Sequence, residues 1–273
     1  MYRYITFMTD FGTRDDSVGC CHGVMLGRAP DALIIDITHG IAAFDVRRGA
    51  LTWANVLPYM PVGVHVGVVD PGVGTARRPL AVRAARGDIL IGPDNGLAPI
   101  GAEALGGVVE AVELANEAHM LTPRSNTFHG RDIFSPMAAA LATGTPLADL
   151  GPALDPATLV ALTLLWPRWE GDALRCHVAY VDHFGNLRLD VDEETVVRWG
   201  LRDGDLLRVA IDPDRQGAQA LDVPFTRSFG LVPPGAPALI VDSYRRLMLA
   251  INQGNAADTY AAGIDIPVVI SRA

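Results

Sequence analysis

The feature that most constrains the fold is a change of hydrophobic texture about two-thirds of the way along the chain. Before residue 166, strand-like and helix-like runs alternate: Tyr2–Thr9 reads as a buried strand and Ala32–Thr38 and Val62–Val69 as further strands, while Ser17–Arg28 and Asp45–Leu57 read as helices. In the second helix Val46, Ala50, Trp53, Ala54 and Leu57 fall on one face, and Asp45 stands where an N-cap belongs. Strands alternating with helices predict crossover units, hence a largely parallel sheet with helices on both faces. Leu80–Arg83 and Ile89–Ile91 suit a hairpin about Arg86-Gly87-Asp88, and Val108–Leu114 reads as another strand. Ile133, Phe134, Met137, Ala138 and Leu141 mark a helical face ending at Gly144, with Pro136 in its first turn or kinking it. After Trp166–Asp172 the runs become short, strand-like and closely punctuated by turns, from Leu174–Val181 to Val268–Ile270. That pattern predicts a small barrel or sandwich. The expectation is an α/β domain over residues 1–166 and an all-β, barrel-like domain over 173–273.

Charge removes several function classes. The chain carries 31 acidic and 22 basic residues for a net charge of −9, which argues against a nucleic-acid partner. Every basic residue is Arg, so enzymes that need a Lys are excluded: Schiff-base enzymes, pyridoxal-phosphate enzymes and Walker P-loop proteins. Hydrophobic residues make up 49%, ample for a core. Three cysteines, Cys20, Cys21 and Cys176, form neither a disulfide framework nor a zinc ribbon, and Cys20 and Cys21, in an apolar helical stretch, read as buried thiols. The N-terminus runs into a strand without a signal peptide, and no apolar run approaches the roughly 20 residues that span a bilayer. A soluble, cytoplasmic protein without membrane association is expected.

Candidate chemistry gathers at strand ends. The first strand runs into Thr9-Asp10-Phe11-Gly12 and the third into Asp70-Pro71-Gly72-Val73-Gly74. In open α/β sheets ligands bind outside the carboxyl ends of strands, so an Asp at each end followed by Gly-containing turns suits a small polar ligand. Either Asp alone is as well explained as a turn or helix cap. Asp94-Asn95-Gly96 carries a turn signal. Asn126–Asp132 packs a His, an Arg and an Asp into a polar loop before an apolar helix, a better candidate for a site. Asp182–Asn186 and Gly254–Ala257 interrupt strands in the second half.

Order and spacing make these pieces specific. TDFG, DDS, VDPGVGTARR, PDNG, TFHGRDIF, DHFGN and QGNAA, running from about Ile5 to about Tyr260, resemble the S-adenosyl-L-methionine (SAM) hydroxide adenosyltransferases. These are adenosine-forming SAM hydrolases, related to the fluorinase and chlorinase. The resemblance implies hydrolysis of SAM to adenosine and methionine, with water or hydroxide attacking the ribose 5′ carbon in line with the departing sulfonium. No metal and no cofactor is implied, SAM being the substrate. It also implies a homotrimer whose site lies between the N-terminal domain of one subunit and the C-terminal domain of its neighbour.

The family's Asp–Arg–His trio carries over to Asp70, Arg77 and His129. The ribose hydroxyls map to Asp10, and aromatic contacts to Phe44 and Phe128. The methionine end maps to Asp15, Ser17, Asp182 and Ser243, and adenine to Phe184, Asn186, Asn255 and Ala256. Two positions depart from the family pattern: Arg245 stands where Gly is usual, and Leu189-Asp190 replaces a common Thr-Asn pair. The nearest alternative is a SAM-dependent halogenase. Halogenases lack the charged trio and carry an insertion where this chain has only Ala84–Asp88. A metal-dependent hydrolase built on Asp10, Asp70, His129 and Asp132 is a second, and a non-catalytic SAM sensor a third.

Overall fold

The computed structural model describes residues 1–215 and 220–273, and the chain divides into two compact units, Met1–Thr163 and Leu164–Ala273. The first follows the expected alternation: β1 (Tyr4–Thr9), α1 (Ser17–Arg28), β2 (Leu33–Thr38), α2 (Val46–Val56), β3 (Val64–Val68), β4 (Pro79–Ala84), β5 (Ile89–Pro93), α3 (Leu97–Glu103), β6 (Val108–Glu113), α4 (Ser135–Thr143) and β7 (Ala153–Leu154). The strands form one sheet in the order β2-β1-β3-β5-β4-β6-β7. Strands β2, β1, β3 and β5 pair in parallel, whereas the β5–β4, β4–β6 and β6–β7 pairings are antiparallel. The parallel crossovers thus occupy the half that carries the Asp-terminated strands. The hairpin about residues 85–88 reverses the chain where a crossover helix would otherwise be needed.

Strands β1, β3 and β5 are buried on both faces because each face meets helices, whereas β2, at the edge of the sheet, is half-buried to exposed along its length. Ile5, Phe7, Val64 and Val66 pack with Cys21, Met25, Met137 and Leu141 of α1 and α4. Met8, Val69, Leu80 and Leu90 pack with Trp53, Leu97 and Ala98 of α2 and α3. Asp45 caps α2 as its sequence position predicts, accepting a hydrogen bond from Arg48 N at 2.8 Å. Helix α4 departs from the simple expectation: a single π-helical stretch, Gly130–Phe134, precedes it, and Pro136 falls in the first turn of the α-helix proper. Cys21 is buried as expected, but Cys20 is only half-buried; Cys176 is also buried. Burial pushes the Cys21 thiol up to about 11.

The second unit contains β8 (Arg168–Glu170), β9 (Ala173–Val181), β10 (Leu187–Asp192), α5 (Glu193–Trp199), β11 (Leu206–Ile211), β12 (Ala220–Pro224), β13 (Pro237–Val241), β14 (Arg246–Ile251), α6 (Ala256–Tyr260) and β15 (Pro267–Arg272). Its antiparallel sheet runs β12-β11-β15-β9-β10-β14-β13, with β8 added on β9. A bridge between Phe225 and Leu239 links the two ends, so the sheet is a nearly closed barrel. Alternate residues of β9 face inward: Leu174, Cys176 and Val178 pack in a core with Leu187, Leu189, Leu247 and Leu249.

Candidate active site

Strands β1 and β3 are neighbours, with Thr9 opposite Val68. Asp10 and Asp70 therefore leave the sheet at the same edge, and Asp10 N still reaches Val68 O at 3.4 Å. The Asp10 carboxylate accepts a hydrogen bond from Phe44 N at 2.9 Å. Phe44 sits at φ 69, in the left-handed region that side chains rarely adopt, and its ring is 70% exposed. Such strain persists only where surrounding contacts impose it, and the bond to Asp10 is one such contact.

Asp70, Arg77 and His129 come together from two loops. Arg77 grips Asp70 with both ends of its fork: Nε donates to Oδ1 at 3.1 Å, and Nη2 donates to Oδ2. The pair is nearly sealed, with Asp70 6% and Arg77 8% exposed. Arg77 Nη2 also lies 3.1 Å from His129 Nδ1. A guanidinium can only donate, so Nδ1 must accept and the imidazole proton resides on Nε2. Burial, followed by the positive charge of Arg77, holds His129 below the usual imidazole value, so the ring is neutral at neutral pH. Arg77 Nη1 is buried without a hydrogen-bond partner among the described residues. The trio thus contains two N–H donors, Arg77 Nη1 and His129 Nε2, that its internal hydrogen bonds leave unused, and such donors are chemically suited to an oxygen that gains negative charge.

The meeting of the two loops is built into the backbone. Gly74 has φ 75, and a Cβ there would come within 2.3 Å of Asn126 O, so the turn carrying Arg77 can close on the loop carrying His129 only as glycine. Arg78 is pinned beside Arg77 by Asp94, whose other oxygen accepts from Val160 N at 2.9 Å. Asn95 donates to Val69 O at 2.8 Å, next to Asp70. The PDNG turn therefore braces the edge of the sheet that carries Asp70 and Arg77, a long-range role invisible in a local turn signal. Asp132 anchors the other loop: it is buried and accepts from Arg131 Nε at 2.6 Å and Ser125 N at 2.7 Å. Burial works to raise its pKa, and these bonds outweigh that, so the carboxyl lies below its usual value. Its oxygens are committed, and Asp10, Asp70, His129 and Asp132 do not form a cluster of converging metal-ligand atoms among the described residues. Phe128 stacks edge-on against Phe11 at 5.8 Å and lies under the Arg131 guanidinium at 5.0 Å. Asp15 and Ser17 flank Asp16 at the start of α1, on the exposed stretch that follows Asp10–Gly12.

In the barrel unit, two loops interlock. Asp182 accepts from Phe184 N at 2.8 Å, Asn186 N at 3.0 Å and Asn186 Nδ2 at 2.8 Å. Ala257 N donates to Gly185 O at 2.9 Å. Gly185 has φ 79, and a Cβ on it would collide with Asn255, so the loop carrying the buried Asn186 closes directly on the loop carrying Asn255 and the buried Ala256, while Phe184 is 72% exposed. Asn255 caps α6 by accepting from Asp258 N at 2.9 Å. Ser243 lies in the β13–β14 turn, where Asp242 accepts from Tyr244 N at 2.8 Å and from Arg188. Arg188 is itself sandwiched between Tyr180 and Tyr244, at 4.8 and 4.5 Å from their ring centroids.

A family model described as the SAM hydroxide adenosyltransferase N-terminal domain matches residues 5–151, and the corresponding C-terminal domain model matches residues 176–269. The chain belongs to the SAM hydroxide adenosyltransferase family. A Salinispora tropica protein named (R)-S-adenosyl-L-methionine hydrolase is 46% identical over 93% of this chain and 92% of its own length. A protein of the same name from Thermus thermophilus is 35% identical over 97% of this chain and 98% of its own. A protein named fluorinase from Actinoplanes sp. is 30% identical over 98% and 97% of the two chains. The crystal structure of an uncharacterized conserved protein from Thermotoga maritima superposes with a TM-score of 0.90 at 32% identity, covering 98% of this chain and 100% of that one. In this adenosyltransferase, Arg245 takes φ 60, the left-handed conformation that suits the Gly expected there. Its side chain is turned outward to Glu193, 2.7 Å away.

Proposed function

We propose that the chain hydrolyses S-adenosyl-L-methionine to adenosine and L-methionine. Oxygen of water or hydroxide forms a bond to the ribose 5′ carbon while the carbon–sulfur bond breaks. The electron pair goes to sulfur, which leaves as the neutral thioether of methionine, and one proton is released. The leaving group is already good, so the protein's task is to align the water and favour its hydroxide form. The observation that carries this reading is the Asp70–Arg77–His129 trio with a buried, unpartnered Arg77 Nη1. That N–H and His129 Nε2–H stabilise the oxygen as it becomes anionic, and Asp70 fixes the fork. Asp10 takes the ribose hydroxyls, with Phe44 and Phe128 beside the nucleoside. Asp15, Ser17, Asp182 and Ser243 serve the methionine end, and Phe184, Asn186, Asn255 and Ala256 serve the adenine. The reaction needs no cofactor. The higher identity to hydrolase-named relatives than to fluorinase-named ones, 46% against 30%, favours hydrolysis over halogenation.

Incubation of purified protein with SAM and EDTA, with and without chloride or fluoride, tests this reading. Chromatography is expected to show equal adenosine and methionine in every arm. A 5′-halo-adenosine product would make it a halogenase, activity abolished by EDTA would make it a metal enzyme, and no turnover would leave it a binding protein.

The active unit in this reading is a cytoplasmic homotrimer, in which a neighbouring copy supplies the barrel-unit residues to each trio. Three free thiols fit a reducing compartment. No helix among the described residues is long and apolar enough to cross a membrane. Co-refolding an inactive His129→Ala chain with an inactive Asn186→Ala chain is expected to restore part of the activity. Verified mixed assemblies that stay inactive would refute shared sites.

A further inference from the structure

Behind the Asp10 edge, and outside every residue assigned above, His22 of α1, Asp36 of β2 and His39 just after β2 converge. One ligand atom from each lies within 4.8 Å of the other two. Asp36 Oδ1 is 2.9 Å from His22 Nε2 and 3.0 Å from His39 Nε2. A single ion held at about 2.0–2.2 Å from nitrogen and oxygen donors spans separations of this order.

The two histidines differ in an informative way. The His39 side chain is 5% exposed, and its Nε2, although 3.0 Å from the carboxylate, is out of line for a hydrogen bond and has no partner among the described residues. A buried imidazole nitrogen left unsatisfied beside a carboxylate is costly. A cation between them would satisfy both. His39 Nδ1 lies 2.9 Å from Thr9 Oγ1, which also receives Phe11 N at 3.1 Å. A ligating histidine fixed through its other ring nitrogen is the arrangement metal sites use to set ring orientation. Phe7 supplies an apolar floor, its ring 5.0 Å from His39 and 5.8 Å from His22. On the opposite side His22 and Asp36 are 28% and 42% exposed, which leaves a path for an ion and room for water to complete its coordination.

We propose that His22, Asp36 and His39 bind a divalent first-row transition ion, with two imidazoles and one carboxylate as its protein ligands. Nitrogen-rich, borderline donors select zinc, cobalt, nickel or iron over magnesium and calcium. The ion would tie α1 and β2 to the segment 39–44, which donates Phe44 N to Asp10 and whose His39 O accepts from Gly12 N at 2.8 Å. The site is structural, it plays no part in the attack on SAM, and its existence does not depend on the hydrolase reading.

The test uses the full chain stripped of metal, dialysed against zinc chloride and measured by calorimetry and elemental analysis. One zinc per chain is expected, and zinc a hundredfold above Kd should raise the thermal midpoint by roughly 5–10 °C. His22→Ala and Asp36→Asn, both on the solvent side where folding is spared, should each weaken binding by more than the roughly 10–100-fold that a lost outer-shell partner costs. They should also abolish the thermal response. His119→Ala, a histidine outside the cluster, should bind as the parent does. Substoichiometric zinc in the parent, or binding unchanged in both His22→Ala and Asp36→Asn, overturns the proposal.

Discussion

Arg77→Ala and His129→Ala are expected to lower SAM turnover by roughly 10²–10⁴-fold, the range of groups that handle a proton or its charge in the transition state. SAM affinity should change far less. The expectation follows from how the donors are used: Arg77 spends Nε and Nη2 on Asp70 and His129, and in the proposed reaction its unpartnered Nη1 serves an oxygen that is fully charged only as the bond forms. Arg77→Lys should recover little, because an ammonium keeps the charge but cannot hold Asp70 through two parallel bonds while reaching His129. Calorimetry with SAM alongside single-turnover kinetics separates the two effects. Binding lost in proportion to rate would make the trio a substrate clamp instead. The pH profile offers a second check. His129 is held below the ordinary imidazole value of about 6.5 by burial and by Arg77, so it stays neutral as pH drops past that value. Activity should persist into mildly acidic solution and fall only when the ring takes a proton that displaces the Arg77 hydrogen bond.

Asp88→Asn is expected to destabilise the N-terminal unit by about 3–5 kcal/mol, the cost of removing one partner from a buried ion pair. At roughly 2–4 °C per kcal/mol, that lowers its thermal midpoint by roughly 6–20 °C. Asp88 and His65 are both fully buried. His65 Nε2 lies 2.9 Å from Asp88 Oδ1, and His65 Nδ1 lies 2.9 Å from Thr6 Oγ1. Arg86 closes on the same carboxylate with Nε at 2.7 Å and Nη2 at 2.9 Å, and Gly63 N donates at 3.3 Å. A Thr–His–Asp chain of this kind has the members of a nucleophilic triad, but no substrate can reach it, and it serves to lock β1, β3 and the β4–β5 turn together. An Asn at position 88 turns an amide N–H₂ against donors that need an acceptor. Burial alone would raise the Asp88 carboxyl, and the bonds from His65 and Arg86 outweigh it, so its folded-state value lies well below the usual carboxylate range. Its stabilisation is therefore complete above the unfolded-chain value of about 3.9 and is lost as pH falls through the depressed folded value. The gap between parent and Asp88→Asn should be constant near neutrality and narrow on acidification below about pH 4. A loss smaller than about 1 kcal/mol in urea titrations at neutral pH would show that the network is replaceable.

The sequence alone determined the division into an alternating α/β part and a β-rich part, the Asp residues at the ends of β1 and β3, and the Asp45 cap. These are local properties: period, capping and turn chemistry are set by residues a few positions apart, and burial of one face enforces them. The ordered motifs also placed the chain in its family and named Asp70, Arg77 and His129 as a set. Tertiary structure decided what those residues touch. The antiparallel insertion of β4 between β5 and β6, the closure of Gly74 on Asn126, the bracing of Arg78 by Asp94 and the Thr6–His65–Asp88 lock all join positions far apart in the chain. No local signal marks them, because a hydrogen-bonding side chain reads the same in sequence whether its partner is water or a residue 59 positions away, as between Thr6 and His65. Arg245 shows the same limit in the backbone: its departure from Gly is plain in the sequence, while its left-handed φ of 60 and its partner Glu193 emerge only when the β14 turn is folded. His22, Asp36 and His39 were likewise three unremarked residues until the fold brought His22 of α1 and His39 to the same carboxylate of β2, since convergence of side chains is a property of the packed state and not of spacing.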